Sequence, residues 1–243
     1  MKVFFASLVL AFSLQSFAAA GIWKIIGEDD LVTVNAKADN IPLQYKKIVN
    51  AFGFLNTGCT ATHIGRGLVL TAGHCFFALN TLVKNADCED VTIDWGLREG
   101  VAPYMTSKCQ KILYMQNDTT ELDFAILRVS PIPKARVELD LTNPVQPGDE
   151  VTVFSHPDDL PLRWSQSCQI LDQPDAELPS LSLKHNCDTN GGSSGATMLN
   201  AQTLKIVALH NGGRLDGNTT NGLNYGTPIT NKTVVEALRS LGF

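Results

Sequence analysis

Short runs of β-forming residues recur along nearly the whole chain, and this pattern constrains the fold more than any other feature of the sequence. Gly, Pro, Asn and Asp separate the runs, which is typical of an antiparallel barrel or sandwich. The strands do not alternate with long helical patterns, so a parallel α/β sheet is disfavoured. The predicted strands include residues 31–34, 67–71, 91–94, 124–129, 150–154, 169–171, 196–199 and 206–210.

A single helix is predicted, near the C-terminus, where Thr230 or Asn231 can act as its N-cap. We expect it to pack against the outside of the second of two half-domains. The Pro-containing stretch 130–147 is the candidate crossing between these half-domains. The apolar face of the helix consists of Val234, Val235, Leu238 and Leu241.

The first 20 residues have the composition of a signal peptide. Lys2 precedes an apolar run over residues 3–12, and small residues at alternate positions follow within residues 16–20. The apolar run is shorter than the ~20 residues that a membrane-spanning helix needs. We therefore expect residues 1–20 to be removed and the mature protein to be secreted or periplasmic, with no membrane partner.

The charge of the chain bears on its partners. The formal net charge is −5, and it becomes −6 when the signal peptide takes Lys2 with it. An acidic surface disfavours nucleic acid and anionic membranes as partners. We expect a monomer.

The chain has six cysteines, and an even count in an exported protein indicates disulfides. No cysteines have the C-x-x-C spacing, and no histidines have the H-E-x-x-H spacing, of zinc sites. No metal site is therefore predicted. Among the possible pairings, order along the chain favours neighbours, namely Cys59–Cys75, Cys88–Cys109 and Cys168–Cys187.

Three short motifs carry the candidate chemistry. The chain reads LTAGHC over residues 70–75, DFAIL over 123–127 and GSSG over 192–195. Each motif alone could be structural. Together they place a histidine, an aspartate and a serine in that order within one domain, and they predict a catalytic triad of His74, Asp123 and Ser194.

Hydrolysis by a serine needs a base that takes its proton, a carboxylate that holds the base, and backbone N–H groups aimed at the oxyanion. His74 and Asp123 would supply the base and the carboxylate. The glycines around Ser194 let the backbone turn sharply, so that the N–H groups of Gly192 and Ser194 can point at one spot. These two amides are the predicted oxyanion hole.

Ser193 is the alternative nucleophile, because residues 191–195 also match the G-x-S-x-G motif of α/β-hydrolases. That fold requires an acidic residue and then a histidine after the serine. No acidic residue lies between Ser193 and His210, and no βαβ pattern is present. Ser194 is therefore preferred.

From about Ile25 to the C-terminus, the chain resembles chymotrypsin-fold serine peptidases and is most similar to the bacterial glutamyl endopeptidase group. The resemblance implies an all-β fold of two six-stranded antiparallel barrels packed face to face, with the active site in the cleft. It also implies a serine endopeptidase that acts on proteins or peptides and needs no cofactor. Besides the three motifs, the resemblance rests on residues 25–30 (IIGEDD), 188–189 (DT), 209–213 (LHNGG) and 224–227 (NYGT).

Further features follow from the resemblance. The Cys59–Cys75 disulfide would clamp the loop that carries the histidine. Residues 25–243 would form the peptidase domain, and residues 21–24 would be a possible short propeptide, cleaved after Lys24. Trypsin has an aspartate just before its nucleophile that binds the new N-terminal amine; Ser193 occupies that position here, so this activation switch cannot operate in that form.

The preferred cleavage site stays open. Asp188 lies six residues before Ser194, the offset at which trypsin keeps the acid that binds Lys or Arg. The glutamyl group also has Asp-Thr there, and the resemblance implies that Thr189, His210 and Gly213 bind substrate. An imidazole and a hydroxyl can jointly hold a carboxylate. We expect cleavage after Glu, with cleavage after Lys or Arg as the alternative.

A second alternative is a non-catalytic secreted homologue that acts as a binding protein. Such proteins usually lack a triad member, whereas all three are present here. The remaining histidines, His63, His156 and His185, have no carboxylate or cysteine at ligand spacing. We expect them at surface or strand positions.

Overall fold

The computed structural model describes residues 25–76, 81–88, 90–117, 122–172, 182–214 and 223–243. The predicted signal peptide and propeptide lie outside these residues. No helix in the described ranges is both long and apolar enough to span a membrane.

The regular elements of the described residues are mainly β-strands, with one α-helix, α1, over Lys232–Ser240. Short 3₁₀ helices lie at Leu43–Tyr45, Val49–Ala51, Gly73–Phe76 and Pro157–Asp159. The strands are β1 (Val32–Thr33), β2 (Phe52–Leu55), β3 (Cys59–Gly65), β4 (Leu68–Thr71), β5 (Thr81–Ala86), β6 (Thr92–Trp95), β7 (Met105–Asn117), β8 (Asp123–Ser130), β9 (Glu150–Ser155), β10 (Arg163–Trp164), β11 (Cys168–Leu171), β12 (Leu183–His185), β13 (Thr197–Asn200), β14 (Ile206–Arg214) and β15 (Leu223–Pro228).

The first half of the chain forms a closed barrel of six strands. Their order is β7-β6-β2-β3-β4-β8, and the pairing of β7 with β8 closes the ring, while β5 adds to the outer side of β7. All these pairings are antiparallel. Every residue of β4 is buried, which accounts for its continuous aliphatic run from Leu68 to Leu70.

The second half forms a second six-stranded antiparallel barrel. Its order is β9-β11-β12-β15-β14-β13, and the pairing of β9 with β13 closes it. Strands β10 and β1 extend β9 on the outside. The expectation of two six-stranded antiparallel barrels with a C-terminal helix is therefore confirmed.

A shared aromatic and polar layer joins the two barrels. Phe52 of β2 stacks on Phe154 of β9 with ring centroids 5.0 Å apart, and Tyr45 meets Phe154 edge-on at 5.3 Å. The hydroxyls of Thr62 in β3 and Thr197 in β13 share a buried hydrogen bond of 2.9 Å. These contacts hold groups from both barrels in one geometry across the cleft.

The chain passes between the barrels through residues 131–149, which connect β8 to β9. His63 of β3 binds this crossing, because its Nδ1 donates to the carbonyl of Ala135 at 2.6 Å. Its Nε2 accepts the N–H of Gly67, in the turn before β4, at 3.2 Å. Burial lowers the pKa of His63. His63 lies in a strand, which agrees with the expected surface or strand position, and its buried side chain connects two segments.

The C-terminal helix packs against the first barrel, so the expected packing on the second barrel is wrong. Its residues face β5 and β7, where Lys84 and Tyr114 line the same groove as Glu236. Arg66, in the turn between β3 and β4, donates to the carbonyls of Leu241 and Gly242 at 3.2 and 3.0 Å. The helix packs on the first barrel because that barrel has an apolar surface for its buried face. The Arg66 guanidinium also binds the carbonyls that follow the helix.

The six cysteines form the three neighbouring pairs, Cys59–Cys75, Cys88–Cys109 and Cys168–Cys187. The first pair ties β3 to the turn that follows β4. The second ties the segment before β6 to β7, and the third ties β11 to the segment after β12. Each disulfide therefore staples neighbouring parts of one barrel.

Candidate active site

His74 lies in the 3₁₀ turn Gly73–Phe76, directly after β4. A glycine is required before it, because a Cβ at Gly73 would lie 2.4 Å from the carbonyl oxygen of Gln116 in β7. The disulfide of the next residue, Cys75, ties the turn to β3. The His74 side chain, 35% exposed, thus projects from a rigid turn toward the cleft between the barrels.

Asp123 is the first residue of β8, the neighbour of β4, and it orients His74 through two hydrogen bonds. Its Oδ2 accepts from His74 Nδ1 at 2.5 Å, and its Oδ1 accepts from the His74 backbone N–H at 2.9 Å. An ionised carboxylate only accepts hydrogen bonds, so Nδ1 carries the hydrogen and Nε2 is an acceptor. This tautomer of His74 can take a proton from a hydroxyl.

Asn211 of β14 connects Asp123 to the second barrel. Its Nδ2 donates to the backbone carbonyl of Asp123 at 2.6 Å, and its Oδ1 accepts from Thr227 Oγ1 at 2.8 Å. Asn211 is buried. Sequence reasoning did not assign it a role; the available signal was a polar residue inside an apolar strand, between His210 and two glycines.

Ser194 lies in the tight turn before β13 and is half-buried. Its Oγ donates to the backbone carbonyl of Asn211 at 3.3 Å. Within the described residues, no hydrogen bond joins Ser194 Oγ to His74. Such bonds are often long until substrate binds. The structure joins His74 to Asp123, and Asn211 contacts both Asp123 and Ser194.

The turn around Ser194 requires glycine at two positions. Gly192 and Gly195 have φ angles of 88° and 82°, in the left-handed region that glycine adopts freely. A Cβ on Gly195 would lie 2.2 Å from Thr71 Oγ1, and one on Gly192 would lie 2.5 Å from the carbonyl oxygen of His156. The turn is therefore pressed against both barrels.

Ser193, the alternative nucleophile, is buried. Its Oγ donates to Ser155 Oγ at 3.0 Å and accepts the N–H of Asn190 at 3.2 Å. A hydroxyl engaged on both sides inside the barrel cannot reach a substrate. Ser193 thus braces the turn, and Ser194 is the serine that faces the cleft.

Asp188 is also buried, with 4% of its surface exposed. Its Oδ1 accepts the N–H of Ile26 at 2.8 Å and its Oδ2 accepts the N–H of Asp30 at 2.8 Å. Burial is the main cause that raises the pKa of Asp188, the two N–H groups oppose it, and the nearby Asp30 and Asp29 add to the rise. The carboxylate is thus occupied by the N-terminal segment.

His210 of β14 and His185 of β12 form a buried pair, with Nε2 of His185 3.0 Å from Nδ1 of His210. His185 Nδ1 accepts the N–H of Cys187 at 3.2 Å. Burial lowers the pKa of His185 to about 3, so it is neutral and its hydrogen is on Nε2. It therefore donates to His210 Nδ1, which leaves the hydrogen of a neutral His210 on Nε2.

His185 is a residue that sequence reasoning missed. It lies in a strand, which agrees with the expected surface or strand position; the same expectation is wrong for His156. His156, the third of these histidines, is buried outside any strand and donates from Nδ1 to the carbonyl of Leu160 at 3.0 Å. Burial lowers the pKa of His156 to about 4.

Thr189 and Gly213 complete the predicted substrate-binding set. Thr189 is fully buried, and its Oγ1 has no hydrogen-bond partner among the described residues. A buried hydroxyl without a partner is costly, so a substrate group that accepts its hydrogen would relieve that cost. Gly213 is half-buried and pairs with Asn224 of β15, just beyond a β-bulge at Asn211.

The described residues contain one group of three side chains close enough to hold a metal ion, namely Cys59, His74 and Cys75. Both cysteines are in the same disulfide, so neither offers a thiolate. This group is therefore part of the histidine-bearing turn and not a metal centre.

Comparisons with known proteins agree with this geometry. A solved structure of a Glu endopeptidase in complex with MPD is 20% identical, with 89% of this chain and 98% of that chain covered and a TM-score of 0.63. Rv3671c from M. tuberculosis H37Rv, solved as an inactive mutant, is 16% identical, with 87% and 95% covered and a TM-score of 0.57. Both show the shared fold. No curated protein matches the chain.

A family model, described as the trypsin-like peptidase domain, matches residues 57–209. This region is more than half of the chain and contains His74, Asp123 and Ser194. The chain therefore belongs to the trypsin-like peptidase family.

Proposed function

We propose that the protein is a secreted, monomeric serine endopeptidase in which Ser194 is the nucleophile, His74 the general base and Asp123 the residue that orients it. The observation that carries the proposal is the pair of hydrogen bonds from His74 to Asp123, which leaves Nε2 of His74 as an acceptor. The mature enzyme would span residues 25–243, after removal of the signal peptide (1–20) and of residues 21–24.

The proposed reaction follows from these roles. Ser194 Oγ attacks the scissile carbonyl while His74 Nε2 takes its proton, and the oxyanion is stabilised by the N–H groups of Gly192 and Ser194. His74 then donates the proton to the leaving amine, which departs and leaves an acyl group on Ser194. Water, deprotonated by His74, releases this acyl group as a carboxylic acid and restores the serine.

Replacement of the nucleophile tests this function. We expect Ser194→Ala to lower kcat on a peptide substrate by roughly 10⁶-fold while the fold is kept. Wild type should label with a fluorophosphonate probe, because only an activated serine reacts, and Ser194→Ala should not. Ser193→Ala is the matched control and should keep its labelling.

A wild-type protein that is folded but neither labels nor hydrolyses peptides would instead be the non-catalytic binding protein. Labelling that survives in Ser194→Ala would assign the nucleophile to another residue.

For the residue before the scissile bond, P1, we propose Glu. One of the solved structures similar to this chain is that of a Glu endopeptidase. The alternative, Lys or Arg, would need the carboxylate of Asp188, and that carboxylate already accepts two backbone N–H groups. The hydroxyl of Thr189 and the Nε2–H of His210 are donors that suit a carboxylate instead.

A P1 glutamate brings a negative charge to a site where the two histidines and Thr189 are buried. Burial of an uncompensated charge is unfavourable, so we propose that His210 binds a proton at Nδ1 when P1 is Glu. His185 would then carry its hydrogen on Nδ1 instead of Nε2, so that its Nε2 accepts from His210 and its hydrogen bond from the Cys187 N–H is given up. Raising the pH through the ordinary histidine range would then weaken cleavage after Glu more than cleavage after Gln.

Peptides that differ only at P1 test this specificity. We expect the highest kcat/KM for Glu, and we expect the Glu-to-Gln ratio of kcat/KM to fall between about pH 5.5 and pH 8. The ratio cancels every pH effect that is common to both substrates. Thr189→Val should lower kcat/KM for Glu by about 10- to 100-fold, since a hydrogen bond to a charged group contributes about 1.5–3 kcal/mol.

A peptide with Leu at P1 is the internal control, since Thr189→Val should leave its cleavage unchanged. Faster cleavage after Lys or Arg than after Glu would contradict the P1 proposal. A Glu-to-Gln ratio that does not change with pH would contradict proton uptake by His210.

A further inference from the structure

The loop of residues 156–160 is not used by the proposed mechanism, yet it binds the backbone of the turn that carries Ser194. We propose that Asp158 in this loop is a positioning residue that fixes the orientation of the Gly191–Gly192 peptide and so keeps the Gly192 N–H directed into the oxyanion hole. The inference rests on the proposed function and extends it to a residue outside the triad.

The orientation of this peptide follows from its hydrogen bonds. The backbone N–H of Asp158 donates to the carbonyl of Gly191 at 2.5 Å. In a planar trans peptide, the C=O and the following N–H point in opposite directions. The Gly192 N–H is therefore directed away from Asp158.

The carbonyl on the other side of Gly192 is also held. Thr60 Oγ1 of the first barrel donates to the carbonyl of Gly192 at 2.8 Å and accepts the N–H of His156 at 2.9 Å. The loop thus restrains Gly192 on one side directly, through Asp158, and on the other side through Thr60.

Such a lock is needed because Gly191 and Gly192 are consecutive glycines. Without side chains, both residues can reach backbone conformations that other residues avoid, so their shared peptide can rotate at little cost. A rotated peptide would place the Gly191 carbonyl where the N–H belongs. An oxygen in that position would repel the developing oxyanion instead of stabilising it.

Asp158 is suited to this role by its own conformation. Its backbone lies in the left-handed region, with φ 55° and ψ 32°, which Asp and Asn tolerate better than most residues. Its Oδ2 accepts from Asn190 Nδ2 at 2.6 Å. Asp158 therefore holds two consecutive residues of the turn, Asn190 through its side chain and Gly191 through its backbone.

Three substitutions separate these contributions, each measured as kcat and KM per active site titrated with the fluorophosphonate probe. Asp158→Ala removes the contact with Asn190 and disfavours the left-handed backbone, and we expect a fall in kcat of about 10- to 100-fold with KM nearly unchanged. This is less than the ~10²–10³-fold cost of removing an oxyanion donor. Asp158→Asn keeps both features and should retain most of the activity. Asp158→Gly keeps only the backbone conformation and should be intermediate.

A peptide boronate inhibitor gives a second readout, because its tetrahedral adduct places an oxygen in the oxyanion hole. Its Ki should rise in Asp158→Ala by the same factor as kcat falls, while KM for the matching peptide does not follow. A purely structural role would lower the melting temperature without this correlation.

Asp159→Ala is the matched control. Asp159 is also exposed and left-handed, with φ 57°, but it faces Gly58 and not the turn. Equal effects of the two alanine substitutions, or wild-type kcat in Asp158→Ala, would contradict the proposal that Asp158 positions the Gly191–Gly192 peptide. If Asp158→Ala does not fold, Asp158→Gly with wild-type kcat and Ki would overturn it. These outcomes differ from a failure of the proposed function, in which wild type itself would neither label nor hydrolyse.

Discussion

Asp188 is a buried carboxylate whose polar contacts, within the described residues, are two backbone N–H groups and not a cation. Desolvation of the charge outweighs these two hydrogen bonds, and the pKa of Asp188 is raised. The folded protein therefore keeps the proton on Asp188 up to a higher pH than the unfolded chain does. By linkage, the stability contributed by such a group is present at low pH and is lost as the pH rises through the raised pKa.

The direction in which Asp188 changes the stability with pH can be measured by comparison with Asp188→Asn, whose side chain cannot titrate. In the chain that is not cleaved after Lys24, we expect the free energy of unfolding of wild type, relative to Asp188→Asn, to decrease as the pH is raised from about 3 through the carboxylate range. Urea denaturation at a series of pH values measures it, and Asp159→Asn controls for the loss of one negative charge. A relative stability that increases with pH would mean that a cation neutralises Asp188, as the N-terminal amine of Ile25 would after cleavage at Lys24.

At the scale of single residues, sequence and structure agree best where one short motif specifies one local geometry. The glycine before His74 and the glycines around Ser194 occupy positions at which a Cβ would collide, and such positions can be recognised from the motif. The contacts of Asn211 and His185 depend instead on strands that are far apart in sequence. No local pattern encodes which strand lies beside which, so these two residues could not be assigned.

At the scale of strands, apolar runs such as β4 and β8 are recognised from sequence because burial makes them continuous. The longest strand, β7 (Met105–Asn117), is different. Its pairing with β8 shifts register twice, between Cys109 and Lys111 and between Ile112 and Tyr114. Each bulge moves the following side chains to the other face, so regular alternation is lost and the run does not read as a strand.

The helix shows the limit of patterns at this scale. Asn231 caps it as expected, since its side chain accepts the N–H of Thr233 at 3.0 Å, and Val234, Ala237 and Leu238 form its buried face. The periodicity of a helix tells which of its faces is buried but not which surface covers that face. That surface belongs to the first barrel, which explains why the packing partner was predicted wrongly.

The cap itself gives a prediction for this element. Asn231→Ala should lower the free energy of unfolding by about 1 kcal/mol, because it leaves the Thr233 N–H without its partner. Asn231→Asp, which keeps an acceptor and adds a favourable charge at the helix N-terminus, should be close to wild type. Chemical denaturation measures both variants, and an alanine variant as stable as wild type would show that the cap is not needed in the packed helix.

At the scale of the whole molecule, His74 and Asp123 come from the first barrel and Ser194 comes from the second. Thr60 of the first barrel donates its N–H to the carbonyl of Ser194 at 2.9 Å. The strand pattern alone left a barrel and a sandwich as alternatives; the two-barrel arrangement was reached through the family resemblance. This is expected, because closure of a sheet depends on pairings such as β7 with β8 and β9 with β13, which a strand pattern does not specify.

The attachment of the N-terminal segment to the second barrel affects the order in which the chain can fold during synthesis. The N–H of Ile26 bonds to Asp188, 162 residues later in the sequence, and β1 pairs with β10. All strands of the first barrel are made before β9, but the residues that precede them cannot reach their final partners until the second barrel exists. The helix that covers the first barrel follows all of these strands in the sequence. Both barrels therefore reach their complete form only after the helix has been synthesised, and residues 25–33 are among the last segments to reach their final contacts.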